Sequence, residues 1–580
     1  MSIVSPVVID VDLKVQQYFG GDERVRDGDE NNLIIRVSDN GSDCAKGEED
    51  SLVRKGIRAS TIVIAASNSS ESSKKGSDYT CTGINDEITI QAAVDSLSST
   101  GGKIIILEGD YYKGDATGIS LPSNIDIEII AGAKFKLVNG INADACFFTN
   151  NDKVNGNTNI NLFGGGGFDC NFRNQTDTTY QYLADFENVS NGRIDVYITN
   201  YTMLEAKLKK SNVKLINRKF LQKKVLFAPC NNVNEFTVVS DPLSEVVTNV
   251  GNGVVGENSI KITINNQTAI LRKVLPQAVA DDFEAYEVGL YVKIDNPSAI
   301  TSFVIGADTG SCADELAINL HIDGAIKTFE PNKWRYLRAP LNRYIIDASP
   351  TFALNITSDA TATVNIGHVE FLPAPLKPAI SWIWDDALDN TLPGIQILSK
   401  YGHKGAIGHM GPKFVGNTYM TIADVDKACF EYGWDIGTHH DTHFLSGVTT
   451  EQAIFELTEN RNFIKEKGWK GSNFLLYAGH NTNAEIMTES KRLFQCIRNP
   501  LTGRVISIRG RINLAYQVTD FEITPQIKSA MRRHIWLHPF SHYLGGSQVS
   551  AVELEAWSVF WYEWGLLSQI PSDVMNDYKG

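Results

Sequence analysis

Apolar and polar positions change period several times along this 580-residue chain, and each change marks a different kind of element. Thr61-Ile-Val-Ile-Ala-Ala66 is an apolar run of strand length. Beginning at Asp86, residues Ile90, Ala93, Val94 and Leu97 share one face of a helix. Gly101-Gly-Lys-Ile-Ile-Ile-Leu-Glu-Gly-Asp-Tyr-Tyr112 reads as turn, buried strand and turn. Short strand-like segments then begin near Ile125, Ile160, Ile194 and Val213, separated by Asn/Gly-rich turns such as Gly164-Gly-Gly-Gly167. None is large enough to bury its own face, so their recurrence points to a stacked solenoid.

The period becomes two in Ser259–Ile264, Tyr286–Lys293, Leu316–Ile322 and Thr363–Val369, as expected of two packed β-sheets. Pro373-Ala-Pro-Leu-Lys-Pro378 is a stiff linker by composition. Beyond it strands alternate with helices: Ala379–Trp384, a helix closing at Gly402, Ala406–His409, helical spacing over Thr421–Tyr432, Trp434–Gly437, a helix with Thr449 and Gln452 as a capping box, Phe474–Tyr477, and His534–His538. That alternation predicts an α/β, barrel-like domain with its site at the carboxyl ends of the strands. Residues 1–58, with the run Leu33–Val37, read as a small β adaptor. Lys207-Leu-Lys-Lys210 and Lys223-Lys224 read as solvated boundary charge. Four segments result: 1–58, 59–222, 223–374 and 375–580.

Composition narrows the function classes. An apolar share of 42% and a charged share of 21% describe a chain with ample core. A net charge of -15 argues against nucleic-acid binding. No apolar run approaches the ~20 residues that span a bilayer, so no membrane insertion is expected. The first residues show no basic region followed by an apolar one, so no secretory signal is read there. Eight cysteines are scattered singly without C-x-x-C, which suits a chain folded in a reducing cytoplasm. All eleven histidines lie at or after position 321, and of nine tryptophans only Trp334 precedes residue 382. The chemistry is therefore sought at the C-terminal end.

There, Ala379-Ile-Ser-Trp-Ile-Trp384 stops at two adjacent acids, Asp385 and Asp386. Unpaired carboxylates are too costly to bury, so the strand ends there. Some fifty residues on, Ile436-Gly-Thr-His-His-Asp-Thr-His443 sets His439 and His443 four apart, on one face of a helical turn. Two imidazoles so placed, with a carboxylate and a water, suit a tetrahedral metal site. The plainer alternative is a solvated loop of histidines and acids that cap the next helix.

In order and spacing these parts resemble the polysaccharide deacetylase domain of the NodB-homology class, carbohydrate esterase family 4, over about residues 376–575. Trp384-Asp-Asp-Ala387 stands where that family has F-D-D-G. The resemblance implies Asp385 as catalytic base and Asp386, His439 and His443 as metal ligands, with Trp536-Leu-His538 supplying the general acid, His538. Departures are Ala387 for Gly, His440 for Ser or Thr, and Leu475-Leu-Tyr-Ala-Gly479 where the family has R-x-P-[YF]-G. His440 could compete as a ligand. Arg498 is the expected substitute for the missing arginine. Trp384, Tyr477, His480 and His542 are candidate substrate contacts. The helix and strand over Asp86–Tyr112 resemble the cap and first coil of pectate-lyase-like right-handed β-helices, with which many phage tailspikes begin. Asn332-Lys-Trp-Arg-Tyr-Leu337 resembles a strand of jelly-roll carbohydrate-binding modules, with Trp334 as a sugar platform or as sandwich core.

The resemblance as a whole implies adaptor, right-handed parallel β-helix, jelly-roll-like β-sandwich and distorted (β/α) barrel. It implies a divalent metal, with zinc first, and an acetylated bacterial surface polysaccharide as substrate. By analogy the chain is a homotrimeric phage tailspike, folded in the host cytoplasm and acting at the bacterial surface. The alternatives are a non-catalytic glycan-binding adhesin, or a β-helix lyase or hydrolase.

Overall fold

The computed structural model describes residues 61–97, 100–176, 178–240, 245–254, 258–277, 279, 285–308, 318–319, 329–340, 351–374, 378–440, 448–477, 484–499, 505–508, 511–514, 516–518, 523, 525–532, 534, 536–546 and 548–577. The expected adaptor over 1–58 lies outside them, as do His443 and His480.

Between Thr61 and Asn217 the strands run parallel, each beside its counterpart one lap later. One sheet lays Thr61–Ala65, Gly102–Ile106, Ile125–Ile129, Ile160–Asp169, Gly192–Thr199 and Val213–Asn217 side by side. A second lays down Ile119–Leu121, Ala145–Asn150, Gln181–Glu187 and Ala206–Lys209 in the same sense. Period-two alternation turns Ile125, Ile127 and Ile129 inward, and Ile160, Leu162, Ile194, Val196 and Ile198 continue that column on later laps. Inside it, Phe135 stacks on Tyr111 at 4.7 Å and on Phe168 at 4.6 Å between ring centroids, about the spacing of neighbouring strands.

The turns are held by an asparagine ladder. Asn159 donates to Asn124 at 2.7 Å and Asn191 donates to Asn159 at 2.6 Å. All three sit at φ between 53° and 60°, a left-handed conformation that asparagine tolerates better than other non-glycine residues. The helix Asp86–Asp95 covers the first lap with Ile90, Ala93 and Val94, the face that its spacing predicts. The expected boundary lysine Lys209 lies instead in a strand and bridges Glu187 at 3.1 Å and Glu563 at 2.8 Å.

From Val225 to Pro373 all described pairings are antiparallel and form two sheets. One runs Glu245–Val250, Asn258–Asn265, Thr361–Pro373, Tyr286–Ile294, Arg335–Pro340, and the other Thr237–Ser240, Thr268–Val274, Thr351–Ser358, Ile300–Asp308, Ile318–Asn319. Their facing side chains make one core, with Ile262, Leu290, Phe303, Leu354 and Val364 among its members.

The C-terminal sheet is mostly parallel. Its order is Ala379–Ile380, Trp536–Ser541, Trp382–Trp384, Gly405–His409, Asp435–His439, Phe474–Leu476 and Cys496–Asn499, extended by antiparallel Val505–Ile508 and Arg511–Leu514. Tyr516–Val518, just past Arg511–Leu514, pairs back onto Trp536–Ser541. The chain is thus multidomain, with a half-barrel of parallel strands beside a β-sandwich. The expected single strand Ala379–Trp384 is broken at Ser381, whose N–H donates to the Leu537 carbonyl at 2.9 Å. Among the described residues no helix is long and apolar enough to cross a membrane.

The parallel coil and the C-terminal sheet share a core. Cys146, Tyr182, Met203 and Leu204 from the coil cluster with Trp557, Trp561 and Trp564. At Gly565, φ +71°, an added Cβ would lie 2.2 Å from the Leu208 carbonyl oxygen, so no other residue fits this approach.

Candidate active site

Side chains able to do chemistry gather where the parallel strands end. Trp382, Ile383 and Trp384 are fully buried, and the strand they form stops at Asp385. The chain then turns through two consecutive left-handed residues, Asp386 at φ 65° and Ala387 at φ 51°. A non-glycine residue there costs about 1–2 kcal/mol, and such strain collects at functional sites. Ala387 thus holds a conformation that favours glycine, the residue it stands in for in the resemblance. The turn is anchored by the Met420 N–H, which donates to the Ala387 carbonyl at 2.8 Å.

Asp385 is 3% exposed, and its N–H donates to the Ser541 carbonyl at 2.9 Å. Arg498, from the strand Cys496–Asn499, donates through Nη2 to its Oδ2. The other oxygen, Oδ1, has no hydrogen-bond partner among the described residues, nor have Arg498 Nε and Nη1. The guanidinium lies 5.2 Å from the Phe540 ring centre. A half-satisfied buried pair keeps unused donor and acceptor capacity inside the site.

His439 ends its strand 2% exposed. Its Nδ1 meets the Leu476 carbonyl, so the proton of the neutral ring sits there, and Nε2 faces Asp386 Oδ1 at 3.0 Å. Burial presses its pKa down, but the hydrogen bond to Asp386 and the charges of Asp385 and Asp386 outweigh it and raise the pKa. Asn460, from the helix Thr450–Glu466, donates its amide to the carbonyls of both His409 and His439, tying two neighbouring strand ends. It lies on the buried stripe of that helix with Ala453, Leu457 and Ile464. A polar residue on an apolar stripe was the available sequence signal, and motif reading passes over it.

His538 is 1% exposed, beside Trp536 at 4.4 Å and Phe474 at 6.3 Å between ring centroids. Neither ring nitrogen has a partner among the described residues. Burial, aided by the charge of Arg498, drives its pKa well below the usual histidine value, so the ring is neutral.

The remaining candidates spread out. His440 is fully buried, with Nε2 3.6 Å from Glu456 Oε2. Trp384 is fully enclosed, its ring packed over Gly394 and beside Trp382, and Tyr477 is 1% exposed within a core. His542 is partly exposed, with its ring 6.0 Å from that of Phe540.

Asp386 and His439 fit a divalent cation. With Nδ1 committed to Leu476, Nε2 and the carboxylate oxygen are two acceptors 3.0 Å apart, an arrangement that calls for a proton or a cation between them. Among the described residues no third histidine, cysteine or acid completes a cluster, and the expected third ligand, His443, lies outside them.

No family model matches this chain, and no curated protein matches it. Among solved structures it is similar to peptidoglycan deacetylase PdaC from Bacillus subtilis, with 14% identity, 35% of this chain and 92% of that one covered, and a TM-score of 0.24. A mutant CE4 family pseudoenzyme with restored activity shows 14% identity over 35% of this chain and 69% of its own, TM-score 0.25. The family 11 carbohydrate-binding module from Clostridium thermocellum, in complex with a mixed-linked tetrasaccharide, shows 9% identity over 26% and 95%, TM-score 0.19.

Proposed function

We propose that the C-terminal sheet is a metal-dependent carbohydrate deacetylase, working on an acetylated polysaccharide of the bacterial surface. The observation that carries this reading is the convergence of two acid pairs at one strand end: Asp385 with Arg498, and Asp386 with His439. Asp386 and His439 would hold the cation with His443, and zinc is the first choice for a site of imidazole and carboxylate donors. When bound, such a cation lowers the pKa of a water and polarises the acetyl carbonyl.

The chain's own residues supply the rest. Arg498 orients Asp385, leaving Oδ1 open to take a proton from the attacking water. The water oxygen bonds to the acetyl carbon, and the bond from that carbon to the sugar nitrogen or oxygen then breaks. His538 is neutral and has both ring nitrogens open. It accepts at one nitrogen the proton that Asp385 removed, and donates from the other to the departing sugar. Enclosure by Trp536 and Phe474 keeps bulk water from short-circuiting that relay.

On this reading the parallel coil is a right-handed β-helix stem and the sandwich a glycan-binding module. In the sandwich Trp334 is half-buried beneath Lys293, near Tyr291 and Tyr336, whose rings are 4.8 Å apart. The assembly would be a homotrimeric phage tailspike. A second reading, a glycan-binding adhesin without turnover, is favoured by the hydrogen bond of Arg498 to Asp385, which occupies one oxygen of that carboxylate. Acetate release from acetylated surface polysaccharides separates the two, comparing zinc-loaded, chelated and Asp385→Ala protein. Zinc-dependent acetate absent from the variant supports the enzyme. Tight glycan binding without acetate supports the adhesin.

A further inference from the structure

The strand that carries His538 is held from outside its own sheet. Just before Trp536–Ser541, Arg532 and His534 reach into the last laps of the parallel coil. His534 Nε2 lies 2.8 Å from Oε1 of Glu205, with the two side chains 1% and 3% exposed. The same oxygen accepts from the Tyr201 hydroxyl at 3.1 Å and from Asn217 at 3.4 Å. Phe220 lies flat on the His534 ring, 3.8 Å between centroids and 16° from parallel. Arg532 donates to the Thr202 carbonyl at 2.9 Å, its guanidinium lies 4.5 Å from the Phe172 ring centre, and its own carbonyl accepts from Tyr201 at 3.0 Å.

We infer that Glu205, on the coil, is a positioning residue for His538, acting through His534. A carboxylate this enclosed is stable only against a matched donor set, so the pair tolerates little displacement. Burial would raise the Glu205 pKa, yet the neighbouring His534 and the hydrogen bonds hold it below the ordinary value, so the carboxylate stays charged and keeps its grip. His534 has φ +56°, a conformation that a histidine holds only when its surroundings impose it. Four residues later comes His538, whose own ring nitrogens have no partner among the described residues to orient them. Its placement therefore depends on the backbone of its strand, and that backbone is moored at His534. The coil is thereby part of the catalytic apparatus as well as a stem.

The catalytic half of this inference rests on the deacetylase reading, whereas the mooring itself does not. The test uses the full chain with Glu205→Gln, and with Glu205→Gln combined with His534→Gln, which replaces carboxylate and imidazole by two amides. Phe220→Leu, which removes the ring stack and keeps an apolar side chain in the core, serves if Glu205→Gln fails to fold. Amide hydrogen exchange is followed in 536–541 against 405–409 and 435–439, and kcat and KM for acetate release are measured in parallel. Expected for the single variants is faster exchange confined to 536–541, kcat lowered about ten- to a hundredfold and KM within about twofold, as for a misplaced catalytic group. The double variant should recover part of both. Unchanged exchange and kcat in folded Glu205→Gln would overturn the inference, and so would exchange that rises evenly over all three strands. If the wild type releases no acetate, the deacetylase reading fails by itself, and the exchange comparison still decides whether Glu205 moors the strand.

Discussion

Nε2 of His439 stands 3.0 Å from Oδ1 of Asp386, while Nδ1 of the same ring is spent on the Leu476 carbonyl. A backbone carbonyl thus fixes the tautomer, and the nitrogen it leaves open is the one that meets the acid. His439→Ala or Asp386→Ala should weaken zinc or cobalt binding by about a hundredfold or more, beyond the 10- to 100-fold typical of losing a mere supporting partner. Titration calorimetry, or the visible spectrum of the cobalt form, reads this directly. Retention of wild-type affinity in both variants would remove the pair from the metal site.

In the proposed reaction Asp385 serves the proton rather than the cation. Asp385→Asn keeps the shape and should keep the metal, while kcat for acetate release falls by about 10²–10⁴-fold. A parallel fall in metal affinity would make Asp385 a ligand instead.

Arg498 and Asp385 are each 5% exposed at the side chain. Removing one buried partner strands the charge of the other, at a cost of roughly 3–5 kcal/mol. Arg498→Met should therefore lower the unfolding free energy by about that amount in urea, and the Arg498→Met/Asp385→Asn pair by less than the two single changes summed. Additive losses would mean that the contact contributes nothing specific.

His403 supplies a pH dependence away from the metal residues. Its Nε2 donates to the Ser558 carbonyl at 2.9 Å, and its Nδ1 accepts from the Ser568 N–H at 3.0 Å. Both nitrogens are satisfied only in the neutral ring, and burial lowers its pKa to about 4. The unfolded chain takes up this proton below pH ~6.5 whereas the folded one refuses it down to about pH 4. Stability is thus complete above the unfolded value and falls as pH drops between the two, by about 3 kcal/mol in all. His403→Gln should flatten that part of a plot of Tm against pH.

Much of the architecture could be read from the chain because its signals are local. The inward column of isoleucines follows from period two, the Asp86 helix from the spacing of Ile90, Ala93 and Val94, and the end of the Trp384 strand from two acids. What escaped the sequence depends on partners far along it. Trp384 looks like a substrate wall beside Asp385, but Gly394 leaves room for its ring and the core takes it. Lys209 looks like linker charge until Glu563 is brought beside it. Asn460 has no motif, and its value lies in two carbonyls that only the sheet places within reach. Arg498 reads as a replacement for a missing arginine, and its hydrogen bond to Asp385 comes from a strand more than a hundred residues away.

The contact of Gly565 with the Leu208 carbonyl bears on how such chains are shuffled. Genes for multidomain proteins are often viewed as strings of exchangeable cassettes, cut at linkers. Here a cut between the coil and the C-terminal sheet would bare Trp564 with Tyr180 and Tyr182, rings that now cover one another. A transplanted C-terminal half would need a host whose last laps offer a bare carbonyl opposite Gly565 and an aromatic seat for Trp564. The unit of inheritance is then the coil and the sheet together, and a chimera joined inside that seam should be recovered as aggregate rather than as folded protein.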